Sequence, residues 1–486
     1  RLEGITHVLK VGKGVAVCGR SPYAVLKARE KLKVKWSRGE SYDDDFLEKH
    51  YLSLLKKRGL VARSEGNVAK ELKRSSSVEA TYLLPYLYHA CMETMACTVS
   101  VSKDECVIYV PTQSQTWVLR EAKRITGLPE NRIKVITTYL GGGLGRKSNK
   151  EFVSEAIKLS KLTGRPVKLF YTREDDVRAG WFRPMVTASL KGSVDSGGTP
   201  TALWFKIVAP AVFEWATGKR RRGVDRAAVS GVVDTFYDIP NLRVEFVKSE
   251  VRIPVWFWRS VGHSHNAYII ETFLDRLAAL GNRDPVDVRL SLLEFHPRAY
   301  RVVEEVARRS RWHRGPRDGQ ALGIAYHYSF GTHVAQVAEV SLEKGRVKVH
   351  RVVCVVDLGS LVVNPDLVVQ QVESGVVMGL SAFLYEGVKF KEGYPVNDNF
   401  DTYRILRFEE TPEIEVHILR SEGEMGGVGE PGLPPIAPAV ANALFKITGK
   451  PIDRLPFYSW YNLSIHEPGR AVERTEEGHS RNNRAG

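Results

Sequence analysis

Cysteine is scarce in this sequence of 486 residues: five are present, Cys18, Cys91, Cys97, Cys106 and Cys354, and no two form a C-x-x-C pair. An odd, scattered set excludes a disulfide framework, a zinc ribbon and an iron–sulfur cluster held within this chain. Long apolar runs are missing as well. No stretch approaches the roughly 18 to 20 apolar residues that span a bilayer, so no membrane span is expected. The first thirty residues alternate like folded strands and carry no signal-peptide pattern, and the expected compartment is cytoplasmic. Acidic residues are in deficit. Lys and Arg number 71 against 56 Asp and Glu, a net charge of +15, which favours an acidic partner or a polyanionic ligand. The densest basic run, Lys219 to Arg222, lies between Gly218 and Gly223 and reads as a solvated loop. No nucleic-acid motif accompanies it, so nucleic acid is not an expected partner.

Enough apolar residues are present to bury one or two large cores. The chain opens on Arg1, and Gly4 to Ala16 reads as strand and hairpin from inside a domain, so an upstream portion is expected. A helix from Tyr23 to Leu32 and a short strand ending at Trp36 complete a partial α+β unit, 1–36. Residues 37–76 are charged and read as a linker, with a helix from Asp43 to about Lys57 whose acidic start suits the helix dipole. From Val78 onward strand and helix patterns alternate: strand Cys106 to Tyr109, helix Trp117 to Thr126, strand Ile133 to Leu140, helix Glu151 to Leu162 closed by Gly164. That order predicts α/β layers within a mixed α+β chain. A strand-rich stretch, 185–255, leads to a helix near 266–280 with Ile270, Phe273, Leu274 and Leu277 at helical spacing and Gly281 beyond. A last helix is expected from Ala437 to Ile447. The domain reading is 77–300, then 301–466, then a disordered tail, 467–486.

Several segments carry chemistry. GGGLGRK (141–147) sits between a strand and a helix, where glycines let backbone N–H groups close on an anion. Arg146 stands where a Walker A loop needs glycine, so a tight turn and an anion or cofactor cradle both remain open. GGVGEPGLPP (426–435) holds one carboxylate, Glu430, in stiff backbone before a helix. FWRSVGHSH (257–265) offers Arg259, whose fork of donors suits an anion or oxo ligand, and an H-x-H pair, His263 and His265. On a regular strand those two histidines would share a face, but a metal site needs a third ligand. Gln113 in PTQSQTW (111–117) and Gln370, Gln371 and Glu373 in QQVESG (370–375) suit either a neutral polar ligand or loop hydrogen bonds. In HACMETMA (89–96), His89, Met92 and Met95 read as core packing.

Taken in order, these segments resemble one family. HACMETMA, PTQSQTW, GGGLGRK, FWRSVGHSHN, DLGSLVVNPD (357–366), QQVESG and GGVGEPGLPPIAPAVANA are similar to the motif string of the large subunit of xanthine oxidase and aldehyde oxidase type molybdenum hydroxylases, in the isoquinoline oxidoreductase branch. The resemblance implies two molybdopterin-binding domains after the remnant of a hammerhead α+β domain. It implies a molybdenum held by a pterin dithiolene with no direct protein ligand, usually in the cytosine dinucleotide form. Glu430 matches the glutamate that removes a proton from the metal's hydroxide as an aldehyde or N-heterocycle carbon is hydroxylated with water-derived oxygen. Gln113, 31 residues before Leu144, matches the glutamine beside the metal's oxo ligand. Leu144 replaces a phenylalanine. The implied cofactor contacts are Gln113, Gly142, Gly143, Leu144, Gly145, Arg146, Arg259, Ser260, Gln371, Gly427 and Gly429. Two cofactor-touching elements of the branch, an MGQG motif and a Ser/Thr-rich loop, are absent from this sequence. A second chain, or the upstream part of this one, is therefore expected to complete the site, and a small two-cluster iron–sulfur subunit is the expected electron acceptor.

Overall fold

The computed structural model of the chain describes residues 2–36, 39–220 and 222–461; the expected tail, 467–486, lies outside the described residues. Strands β1 (Ile5–Val11) and β2 (Gly14–Gly19) pair antiparallel, and α1 (Pro22–Glu30) follows behind Ser21, whose hydroxyl accepts from the Ala24 N–H. The strand expected to end at Trp36 does not form: residues 32–36 lack regular structure and Trp36 is exposed. Helix α2 (Asp44–Leu54) starts where its acidic run predicts, with the Asp43 carboxylate accepting from the Phe46 N–H. Strand β3 (Leu60–Glu65) and α3 (Val68–Glu71) follow, then β4 (Ser76–Leu84).

A small layer comes next. It is built from β5 (Ala96–Val101), β6 (Cys106–Val110), α4 (Gln115–Thr126), β7 (Ile133–Thr137), α5 (Glu151–Thr163) and β8 (Val167–Phe170), its sheet running β7-β6-β5-β8. Gly127 and Gly164 close α4 and α5 at φ +80° and +66°, left-handed positions where a side chain would cost energy. After α6 (Arg173–Arg178) the chain forms β9 (Val186–Val194), β10 (Pro200–Ala209), α7 (Val212–Thr217), α8 (Arg226–Val229) and β11 (Asn241–Lys248). These give a five-stranded sheet in the order β3-β11-β10-β9-β4. Residues 37–76 are thus more than a linker: β3 is an edge of this sheet, and Tyr51 and Leu54 of α2 are buried. Leu60 and Val61 on β3 are about half exposed, as an edge allows, which is why the segment lacks a strand's buried alternation.

Helix α9 (His263–Leu280) is followed by α10 (Pro285–Leu292) and α11 (Pro297–Ser310), then by β12 (Gln320–Ser329), β13 (Thr332–Glu343) and β14 (Arg346–Asp357). Helix α12 (Pro365–Leu384), the two-residue strands β15 (Phe390–Lys391) and β16 (Tyr394–Pro395), β17 (Glu413–Leu419), α13 (Ile436–Thr448) and α14 (Phe457–Trp460) complete the chain. The second large sheet runs β12-β13-β14-β17. Almost every residue of α9 is buried, because one apolar core continues from the first large sheet through this helix to the second. Its acids Glu271 and Asp275 are tolerated there because Arg289 pairs with both, at 2.9 and 2.7 Å. The expected domain boundary at residue 300 cuts α11, which packs on β13 and β14 and so belongs with the second sheet. Helix α12 has the length and apolar composition of a membrane span. It is a core helix, burying Val368, Val372, Val376 and Leu380 on one face and carrying Gln371 on the other.

Candidate active site

Four loops, two from the small layer and two leading into α9 and α13, are joined by hydrogen bonds. Gln113 follows β6, the glycine loop 141–145 follows β7, residues 257–262 lead into α9, and residues 426–432 lead into α13. The Gln113 Oε1 accepts from the Gly145 N–H at 3.0 Å, and the amide's own N–H donors have no acceptor among the described residues. Arg259 N–H donates to the Leu144 carbonyl at 3.1 Å and ties the glycine loop to the third segment. The Arg259 side chain ties the other two: Nε to the Gly429 carbonyl at 2.7 Å, Nη1 to Ser374 Oγ at 2.8 Å, Nη2 to Gln371 O and Oε1 at 3.1 and 3.3 Å. The fork expected to face an anion is thus a cross-brace among protein acceptors, and Arg259 shapes the site from behind. Ser374 is a site residue the sequence did not single out, although it lies within QQVESG.

Glu430 is fastened by its neighbour's backbone. The Ser260 N–H donates to Glu430 Oε1 at 2.9 Å, and Ser260 Oγ donates to the Glu430 carbonyl at 2.8 Å. Ser260 and Val261 hold this geometry at φ +72° and +48°, two consecutive left-handed non-glycine residues. Such strain persists only where surrounding contacts over-determine it. No described residue bonds the second oxygen, Oε2. Burial, partly offset by the Ser260 N–H and by Arg259, raises the Glu430 pKa above the ordinary 4.5. A reaction needing ionised Glu430 is lost as pH falls through this raised value, so the acidic limb of kcat/KM is expected above 4.5. The sign for stability is opposite. Folding binds this proton more tightly, so the contribution of Glu430 is fully present below the unfolded pKa and lost as pH rises through the folded one. Glu430→Gln is therefore expected to raise the thermal midpoint at neutral pH; a lowered midpoint would contradict the assigned burial.

The glycines are a cradle. A Cβ at Gly143 would lie 2.5 Å from Gln113 Oε1, and one at Gly145 would lie 2.0 Å from the Phe257 carbonyl oxygen, so both are needed for packing. Gly142, at φ +91°, and Gly427 and Gly429 differ: an added Cβ would meet no protein atom nearer than 3.8, 3.5 and 3.9 Å. Those three keep an open face clear for a ligand. The N–H groups of Gly142, Gly143 and Leu144, and of Val428, Gly429 and Glu430, have no acceptor among the described residues. Two runs of backbone donors, with the amides of Gln113 and Gln371 and one carboxylate, suit a polyanionic, many-acceptor group such as a pterin phosphate. The donor set therefore fits the implied cofactor.

Arg146 does not join this set. Its side chain is fully buried, with Nε on Asp176 at 3.0 Å and Nη2 on Glu151, so the cofactor contact expected of it is corrected to a structural ion cluster. Lys147, also fully buried, pairs with Glu93, whose carboxylate accepts from the Gly141 N–H at 2.8 Å and braces the loop. Met95 packs in the core as expected, but Met92 is 74% exposed. Cys91 Sγ lies 3.3 Å from the Gly143 carbonyl, with burial pushing its thiol up to about 12, so it is an inert wall. The H-x-H pair falls on α9, not on a strand, where an i, i+2 spacing points the rings apart. Among the described residues no group of three or more potential ligands assembles around either histidine or elsewhere.

Comparison with known proteins agrees with this geometry. Residues 55–292 and 272–412 match two family models, each described as a molybdopterin cofactor-binding domain. The chain is 31% identical over 94% of its length to the isoquinoline 1-oxidoreductase subunit beta of Brevundimonas diminuta, of which it covers 61%. It is 28% identical over 91% of its length to a membrane-bound aldehyde dehydrogenase (pyrroloquinoline-quinone) of Gluconacetobacter polyoxogenes, covering 62% of that protein. The fold superposes on quinoline 2-oxidoreductase of Pseudomonas putida 86 with a TM-score of 0.73 at 14% identity, over 94% of this chain and 87% of that one. The chain thus spans about three-fifths of the length of the relatives it matches by sequence.

Proposed function

The chain belongs to the xanthine/aldehyde oxidase family of molybdenum hydroxylases, in keeping with its two molybdopterin cofactor-binding domains, and from that premise we propose that it is the catalytic subunit of a complex that hydroxylates an aldehyde or an N-heterocyclic carbon with oxygen taken from water. The observation that carries this reading is Glu430: one carboxylate, clamped through Oε1 by the Ser260 N–H, with Oε2 open amid two runs of backbone donors. When bound, a molybdenum–pterin group supplies Lewis acidity toward water and a two-electron sink. The chain supplies the rest. Gly142 to Leu144, Val428 to Glu430 and the amides of Gln113 and Gln371 hold and orient the group, and Glu430 Oε2 takes the proton from the attacking water. Arg259 and Ser260 keep Oε2 aimed. The cytosine dinucleotide form is proposed from the family resemblance alone, since the run at Gly142 to Leu144 suits a phosphate of either form. The pyrroloquinoline quinone in one relative's name is not carried over, since both matched family models are molybdopterin-binding.

Two relatives are named as subunits, beta and B, which supports a hetero-oligomer for this chain. The partners we assign are a small two-cluster iron–sulfur subunit for the electrons and a further polypeptide segment that closes the cofactor site. An apolar rim next to the cradle supports that segment: Met92, Tyr139, Leu361, Val363 and Met425 are each more than half exposed. The chain of 486 residues expressed alone should bind molybdenum and pterin well below equimolar; full loading without a partner would refute the shared site. The function itself is tested on the native complex by metal and pterin analysis, followed by a screen of aldehydes and heterocycles with an artificial electron acceptor. Hydroxylated products are expected, with oxygen from labelled water.

A further inference from the structure

An open cavity of about 620 Å³ adjoins the site. Its wall shares backbone with the Glu430 clamp on both sides. Val261 follows Ser260, and the carbonyl of Phe330, which tips the β12–β13 hairpin, accepts from the Gly427 N–H at 2.8 Å. Most of the lining is apolar, with the rings of Phe257 and Phe330 among it. Of the four polar residues in that lining, Arg226, Ser230, Asp234 and His263, two have side chains that face each other. His263 and Asp234 both line the cavity, with His263 Nε2 4.0 Å from Asp234 Oδ2. That gap is too long for a hydrogen bond between them and wide enough for a ligand atom to touch both.

The pair is held in place from behind. His263 Nδ1 lies 2.9 Å from Nε2 of the buried His327, and Asp234 Oδ1 accepts from the Gly231 N–H at 2.5 Å. Gly231 itself, at φ +89°, runs so close that a Cβ there would sit 2.9 to 3.1 Å from both imidazoles. The tautomer is decided by charge. A carboxylate favours the proton on His263 Nε2, so Nδ1 accepts from the His327 Nε2–H and the ring presents a donor to the cavity. At this point the wall therefore offers a donor, His263 Nε2–H, directly beside an acceptor, Asp234 Oδ2, with Arg226 elsewhere in the lining. We infer that His263 and Asp234 are a specificity-determining pair, selecting planar substrates that carry an acceptor next to a donor, as a ring lactam or a ring hydroxyl does. The inference rests on the hydroxylase reading for the word substrate, but the binding it describes does not depend on turnover.

The test is calorimetric titration of the native complex with quinolin-2-one, which has a lactam edge, and with 2-methylnaphthalene, which has similar bulk and none. Asp234→Asn keeps the size and turns the acceptor toward a donor; His263→Phe removes the donor. Each is expected to weaken quinolin-2-one by about 10- to 100-fold, the range of a hydrogen bond to a charged group, and to leave the hydrocarbon within about a factor of three. The KM ratio between lactam-bearing and hydrocarbon aldehydes should move with it. Asp234 is partly exposed, with 41% of its side chain accessible, so Asp234→Asn keeps the test valid if His263→Phe fails to fold. Unchanged discrimination in Asp234→Asn, or equal weakening of both probes, overturns the inference. Lost discrimination in a complex that hydroxylates nothing upholds the pair and removes the hydroxylase reading; hydroxylation with discrimination intact does the reverse.

Discussion

Glu430→Gln is expected to lower kcat by about 10² to 10⁴, the usual worth of a positioned base, while molybdenum and pterin content stays at the wild-type level. Glutamine keeps the carbonyl oxygen that accepts from the Ser260 N–H, so the clamp seen at 2.9 Å survives the substitution. What disappears is the proton acceptor at Oε2. Because the cradle donors at Gly142 to Leu144 and Gln113 are untouched, KM should change much less than kcat, the pattern of an interaction used only in the transition state. Loss of cofactor together with activity would instead make Glu430 a structural residue of the loop.

Arg146→Met is expected to destabilise the fold by about 3 to 5 kcal/mol, the cost of leaving buried partners without their counter-charge. Asp176 is fully buried and Glu151 nearly so, and burial raises the Glu151 pKa to about 7 even with the guanidinium present. Without Arg146 both acids must protonate or the cluster must open. Thermal unfolding of the variant reads the loss, and adding Asp176→Asn and Glu151→Gln should recover part of it. A direct cofactor ligand would behave otherwise, with the melting curve of the cofactor-free protein unchanged and cofactor affinity reduced.

Local signals were legible in the sequence because local physics decides them. Gly164 and Gly281 ended helices as read, and α4, α5 and α13 lie within two residues of expectation. The glycine cradle and Glu430 were legible too, since stiff or Cβ-free backbone around a lone titratable group is visible as composition. What was not legible is set by distant partners. The aromatic run before His263 resembles a strand, yet Ser260 and Val261 are bent into left-handed conformations by the bond to Glu430, 170 positions away in the chain. Arg146 sits in a motif that suggests phosphate, but Asp176, 30 residues on, claims its guanidinium. Strand β3 looked like a linker because its partner, β11, lies beyond seven intervening strands in the chain and its exposed edge needs no apolar alternation.

The most direct test is the molybdenum-to-pterin-to-polypeptide ratio in the complex purified from its native source. Equimolar metal and pterin, released together only when this polypeptide unfolds, is the predicted result. A folded complex that turns over substrate while holding neither would contradict the assignment of the cradle and, with it, the role given to Glu430.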